Sequence, residues 1–305
     1  MTNADLTAPR GGGADRRAFV LSALAAIFWG SNFEATRIVL EGSPPLSAAA
    51  GRFALAAVVT LLWMRLSVGP GLGALRRNLA AFALLGLIGI AAFNAALFLG
   101  MRSASPVTGA LIMGTSPLTT TLMEALLLRR RPAPRMLLGM AISLCGIALT
   151  VGAFSGAVLT GGDLIILAGS LCWALYTVGC RHWVHEATPL ETTAWTMLSG
   201  TAALGLAAWI FEAPLTTFAS AAPAVWGATL WMALAGSTAA FAFWQTGIRQ
   251  RGPGPTSVLF NLVPVSALLI AMGFGRMPAL SQWAGVALAI GGVLLASGAW
   301  PRLRR

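Results

Sequence analysis

Residues 100–129 read GMRSASPVTGALIMGTSPLTTTLMEALLLR, and residues 247–276 read GIRQRGPGPTSVLFNLVPVSALLIAMGFGR. Laid over one another at an offset of 147, they match at Gly100/Gly247, Arg102/Arg249, Pro106/Pro253, Pro117/Pro264 and Arg129/Arg276. The correspondence continues on both sides. Gly139, Gly146 and Gly152 fall on Gly285, Gly292 and Gly298 at +146, while Trp29 falls on Trp173 and Pro45 on Pro189 at +144. A repeat of this length decides architecture before any short motif does. Each copy is apolar and holds five membrane-length segments. An odd number of crossings turns the second copy upside down in the bilayer relative to the first.

Composition agrees with a membrane chain. Hydrophobic residues make up 57%, charged residues only 10%, and the mean hydropathy is +0.79, far from a soluble globular domain. The 35 glycines suit helices that pack closely in lipid. All twenty positive charges are Arg, and the net charge is +11. That charge sits in short loops and not on one soluble face, so no nucleic-acid partner is expected. Cys145, Cys172 and Cys180 lie in apolar stretches and read as unbridged packing residues. His182 and His185 lack metal-ligand companions. No metal or cofactor is expected, and with no catalytic motif neither is an enzyme.

The fold expected is all-α and integral to the membrane, with ten transmembrane helices in two inverted five-helix repeats. The segments run approximately over 17–40, 46–65, 79–101, 107–128, 135–153, 163–183, 190–211, 223–247, 254–274 and 281–299, each long enough for about 30 Å of hydrocarbon. The domain plan follows: a disordered cytoplasmic tail over 1–16, the first repeat over 17–153, an extracytoplasmic linker over 154–162, the second repeat over 163–299 and a basic tail over 300–305. The first helix belongs to the repeat, so it is expected to stay in the mature protein and not to act as a signal peptide. Placing the N-terminus inside puts sixteen arginines in cytoplasmic stretches and only Arg102 and Arg276 outside. Arg37 and Arg52 lie within helices. This positive-inside bias places both termini in the cytoplasm, as expected of a multi-pass protein of the bacterial inner membrane.

Ionisable residues inside the bilayer are costly and mark candidate sites. Glu34 and Arg37 stand at i, i+3 on the first helix, and Arg52 lies at similar depth on the second. They form either a structural ion pair or triad, or a site where Glu34 couples protons or binds an amine. Glu124 is expected to snorkel toward Arg129–Arg131. Pro117 and Pro264, each mid-segment, free a backbone carbonyl one turn earlier and are either packing kinks or cavity-lining breaks. Polar and aromatic residues recur at helical spacing: Trp29 and Asn32; Asn94 and Phe98; Trp173 and Tyr176; Trp244 with Gln245; and Asn261. They are candidates to line a central pocket for a small amphipathic solute. Helices meeting this way around a midplane site are typical of secondary transporters.

The chain resembles the EamA family of the drug/metabolite transporter superfamily. Phe28-Trp29-Gly30-Ser31-Asn32-Phe33 with Arg37, Gly51-Arg52-Phe53, Cys172-Trp173-Ala174-Leu175-Tyr176 and Phe260-Asn261-Leu262-Val263-Pro264-Val265 carry the resemblance, which covers residues 20–299. It implies a central cavity formed by helices 1, 3, 4, 6, 8 and 9, with helices 5 and 10 peripheral. It also implies export of small metabolites, commonly amino acids, with aromatic amino acid exporters the leading analogy. Where family members usually carry Gly-Glu after helices 4 and 9, this chain has Arg129-Arg130-Arg131 and Gly275-Arg276. The function expected is therefore amino acid export by alternating access, with proton-coupled efflux of cationic drugs as the alternative. A small-molecule substrate and the lipid bilayer are the expected partners, and the chain is expected to be a monomer or weak homodimer.

Overall fold

The computed structural model describes residues 12–127, 129, 134–151, 160–212 and 221–297. The expected tail over 1–11, most of the linker, Arg130 and Arg131, and the tail 300–305 lie outside the described residues. Among the described residues there is no strand, and eight helices are long and apolar enough to cross a membrane. In chain order the helices are α1 (Gly12–Leu40), α2 (Pro45–Ser67), α3 (Leu72–Gly100), α4 (Pro106–Gly114 and Ser116–Leu127), α5 (Pro134–Val151) and α6 (Gly161–His182). They continue with α7 (Pro189–Phe211), α8 (Pro223–Arg251), α9 (Pro253–Gly273) and α10 (Leu280–Ser297). The apolar stretches of α5 and α10, Leu137–Gly146 and Leu280–Leu295, are shorter than the other eight.

Local chemistry sets where several helices begin. Prolines occupy the first turn of α2, α7 and α8, where the missing N–H costs nothing. Thr160 with Asp163 and Thr188 with Glu191 form capping boxes on α6 and α7. The start of α2 has no cap of its own. Instead the Glu212 carboxylate, at the end of α7, accepts from the Leu46 and Ser47 backbone N–H groups at 3.0 and 2.6 Å and from the Ser47 hydroxyl at 2.7 Å. A carboxylate there offsets the helix dipole as well as the orphan donors.

Two boundaries differ from the sequence expectation. α1 reaches back to Gly12, so residues 12–16 are helical and not tail. α3 begins at Leu72, seven residues before the expected 79, because its first turns are polar enough to look like a loop. Asn78 there departs from helical angles, and its amide pairs with both the N–H and the carbonyl of His185.

The packing exchanges under the repeat. α1 packs on α8 and α9, and its counterpart α6 packs on α3 and α4; α2 meets its own counterpart α7, and α5 meets α10. A two-fold relation produces this pattern of partners. α1 and α6 run in opposite directions: Asp15 at the start of α1 pairs with Arg251, and Arg181 at the end of α6 donates to the Arg249 carbonyl beside it. The two helices meet midway through side chains, where the Trp29 and Trp173 rings stand 5.2 Å apart. α5 and α10 meet through small residues. A Cβ on Gly146 would lie 2.6 Å from the Gly285 carbonyl oxygen, and one on Gly292 would lie 2.6 Å from that of Gly139. Leu62, Leu66, Trp209, Ile210 and Phe211 are exposed, as an outer surface facing lipid requires.

α3 and α8 each contain a π-helical turn, Gly86–Ala92 and Leu234–Ala239, at repeat-equivalent places. Such widened turns often sit at functional sites because they shift carbonyls out of the regular ladder. α4 and α9 are also interrupted near Pro117 and Pro264, by a break at Thr115 and by a 3-10 turn over Val258–Asn261.

Candidate functional site: a central cavity over an aromatic layer

Between α1 and α6 lies a central cavity. α1 contributes Trp29, Asn32, Phe33 and Thr36; α2 contributes Arg52; α3 contributes Phe93, Asn94 and Leu97. Met113, Trp173, Phe241, Phe260 and Val263 from α4, α6, α8 and α9 complete the wall. The wall therefore uses the six helices expected, together with Arg52 from α2.

Beneath this cavity the aromatic rings form a layer. Trp29 stacks on Phe260 with centroids 5.1 Å apart and takes Trp173, Phe241 and Trp244 edge-on at 5.1–5.7 Å. Such contacts contribute about 0.5–1.5 kcal/mol each beyond area burial. The layer is pinned at one corner. Trp29 Nε1 donates to the Gly236 carbonyl at 2.8 Å, inside the π turn of α8. On the other side of the layer Gln245 donates to the Tyr176 hydroxyl at 2.8 Å and to Cys180 Sγ at 3.2 Å, while Tyr176 meets Thr196 at 3.3 Å.

Past that network lies a second cavity, at the end where α6 and α8 finish. Arg181, Arg249, Glu186, Thr192 and Gln245 are among its lining residues, and none of its lining residues is shared with the central cavity. The aromatic layer therefore lies between a central chamber and a polar vestibule.

Of the residues expected to bind substrate, Trp29, Asn32, Asn94 and Trp173 line the central cavity. Tyr176 and Trp244 lie one layer deeper, fully buried. Gln245 faces the vestibule, because four residues separate it from Phe241 and carry it one turn further along α8. Phe98 packs under Arg52, and Asn261 is buried with neither amide atom partnered, off the cavity wall. Thr36, on the helical face of Trp29 and Asn32, is also in the wall; Phe33, Phe93, Leu97, Met113 and Val263 belong to it but carry no polar signal, so spacing alone did not single them out.

The ionisable groups divide. Glu34 pairs with Arg37 at 2.6 Å and with Arg276, and Arg37 also pairs with Glu41. Arg52 is not part of that cluster, so of the expected ion pair or triad the Glu34–Arg37 pair forms and the triad with Arg52 does not. Similar depth did not bring them together, because α2 packs against α7 and α8 and directs Arg52 to the other side of α1. Its Nε donates to Ser237 Oγ at 2.8 Å and a terminal nitrogen to the Gly236 carbonyl at 3.2 Å. Glu124 faces His182 at 3.7 Å, and of the arginines it was expected to reach, Arg130 and Arg131 lie outside the described residues.

The wall also shows how the repeats have diverged. Asn32 and Tyr176 are equivalent at +144, and so are Arg52 and Thr196; Gly89 and Gly236 are equivalent at +147. Asn32 lies against Gly236, just as Tyr176 lies against Gly89. Trp29 Nε1 has a carbonyl partner, whereas Trp173 Nε1 is buried with none. Backbone positions repeat, and polar groups do not.

Comparison with known proteins supplies relatives. A model of the EamA-like transporter family matches twice, over residues 16–152 and 160–298. An uncharacterized transporter of Bacillus subtilis, YyaM, is 37% identical over 280 residues, covering 90% of this chain and 91% of that one. A probable terminal-alkyne amino-acid exporter of Streptantibioticus cattleyicolor is 27% identical over 276 residues, covering 89% and 90%. A solved crystal structure superposes with a TM-score of 0.71 at 22% identity, covering 94% of this chain and 99% of that one, a likeness of fold.

Proposed function

The chain belongs to the EamA-like transporter family, and from that premise we propose that it exports small metabolites, above all amino acids with aromatic or other apolar side chains, across the bacterial inner membrane. Ten helices cross the bilayer, α5 and α10 included. Both termini are cytoplasmic, so the vestibule with Arg181 and Arg249 faces the cytoplasm, in keeping with the positive-inside bias. The halves 17–153 and 163–299 rock against one another about the Trp29–Trp173 contact. Beside the aromatic layer Tyr176, Gln245 and Cys180 act as the latch toward the vestibule. Opening that side requires α6 and α8 to separate enough to break the 2.8 Å Gln245–Tyr176 bond.

The observation that carries this reading is the composition of the cavity wall: aromatic and aliphatic surface, two amides, a threonine, and Arg52 as the sole charged group among the lining residues. Such a wall suits a small amphipathic molecule. The amino-acid exporter among the relatives supports the substrate class. Proton-coupled efflux of cations would need a carboxylate facing the chamber. Glu34 is instead engaged by Arg37 and Arg276 and does not line it.

Counterflow tests the proposal. Liposomes carrying the pure protein and preloaded with unlabelled phenylalanine should accumulate labelled phenylalanine transiently. Absence of counterflow for every amino acid in a full panel would overturn it.

A further inference from the structure

We infer that the Arg52 guanidinium is the anchor for a carboxylate of the transported molecule, so that the central cavity selects acids with an apolar body and rejects the corresponding amines. This rests on the central cavity being the transport site. Arg52 is only 2% exposed, yet it lines the cavity. Among the described residues no carboxylate lies within ion-pair distance of it, whereas Arg37 on the neighbouring α1 has both Glu34 and Glu41. An uncompensated charge at this depth is costly and is retained for a reason.

Of the five N–H donors of a guanidinium, Ser237 and Gly236 take two. The Phe53 ring lies 4.8 Å beneath the charged carbon. These contacts fix the guanidinium plane without neutralising it, and a planar fork with free donors is the geometry that carboxylates accept. Asn32 lines the same chamber beside Gly236, and its Oδ1 is buried without a hydrogen-bond partner.

The repeat argues that the charge is not needed for packing. The residue equivalent to Arg52 is Thr196, which meets Tyr176 in the same helix environment. A neutral side chain is therefore enough to pack α7, and the charge on α2 has another task. Trp29, Phe93, Trp173, Phe241 and Phe260 supply the apolar remainder of the wall. No acidic residue is placed there for an ammonium group. The α-amino group is accordingly dispensable, and 2-oxo acids and arylalkanoic acids should occupy the same site.

Competition in the liposome assay and direct calorimetric binding in detergent, using phenylalanine, phenylpyruvate and phenylethylamine, test this. Phenylalanine and phenylpyruvate should compete within a few-fold of one another, and the amine about thirty-fold or more weakly, the loss expected for an unpaired buried charge. Arg52→Gln should abolish binding of both acids, with Arg52→Lys restoring part of it. Because Arg52→Gln could fail to fold, the wild-type series decides by itself. Amine binding equal to that of the acids, or a folded Arg52→Gln that binds phenylalanine like wild type, overturns the inference and leaves the transport reading intact. A wild-type protein that neither binds nor transports any of the three overturns the inference, and one that also shows no counterflow with any amino acid of the full panel overturns both.

Discussion

Gly89→Ala is a small change placed where the structure has no slack. A Cβ there would come within 3.0 Å of three atoms of Tyr176: Cβ, Cγ and Cδ2. Ordinary contact begins near 3.4 Å, so either the ring or the α3–α6 spacing must give. The ring is fully buried, lies 5.3 Å from Trp173 and 6.2 Å from Phe241, and is tethered by its hydroxyl to Gln245 and Thr196. Overpacking of this kind costs about 1–3 kcal/mol. Displacing the hydroxyl forfeits one or two hydrogen bonds at about 0.5–1.5 kcal/mol each. The total expected is about 1.5–6 kcal/mol. The repeat supplies its own control. Gly236→Ala would meet the amide end of Asn32, a side chain that can swing into the cavity, so its stability cost should stay near 1–2 kcal/mol while transport falls. Denaturant or thermal unfolding in detergent, followed by tryptophan fluorescence, measures both. A Gly89→Ala protein as stable as wild type, or a Gly236→Ala protein less stable than Gly89→Ala, would refute the reasoning.

Three further outcomes are expected. Glu212→Ala removes the shared acceptor of three α2 donors and should lower stability by about 1–2 kcal/mol in the same unfolding assay. Gly146→Leu inserts a side chain where even a Cβ would stand 2.6 Å from backbone atoms of α10; the variant should unfold at lower temperature, and accumulation of wild-type amounts with unchanged melting would count against the α5–α10 contact. Glu34→Gln should weaken the cluster with Arg37 and Arg276 yet leave any dependence of transport on a pH gradient as in wild type. A gradient dependence that disappears in this variant would favour proton coupling through Glu34.

Most of the fold was legible because lipid imposes a simple grammar: long apolar runs broken by Pro and Gly, with Arg, apart from Arg37 and Arg52, gathered at the helix ends and loops. The eight long helices follow that grammar. The start of α3 does not, since Arg76, Arg77 and Asn78 lower its hydropathy while Asn78 docks on the His185 peptide. The wall of the cavity was legible where polar or aromatic residues stood at helical spacing, as with Trp29, Asn32, Asn94 and Trp173. Gln245 shares that spacing but faces the vestibule, a distinction of one helical turn. Arg52 was placed at the right depth and beside the wrong neighbours. Depth follows from counting residues along a helix, whereas direction depends on which helices α2 packs against, and one sequence does not encode that openly. The Gly236 carbonyl, which receives both Trp29 and Arg52, depends on a π turn that no residue pattern announces.

Side-specific labelling would show whether the central cavity is the route of transport. In a protein with Cys145, Cys172 and Cys180 replaced by Ser, Leu97→Cys reports on the central chamber and Thr192→Cys on the vestibule. Reaction with a membrane-impermeant maleimide, with and without phenylalanine on one side, reads the access of each. Alternating access predicts that the ligand shifts the two labelling rates in opposite directions, one site opening as the other closes. Rates that move together, or do not move at all, would contradict it.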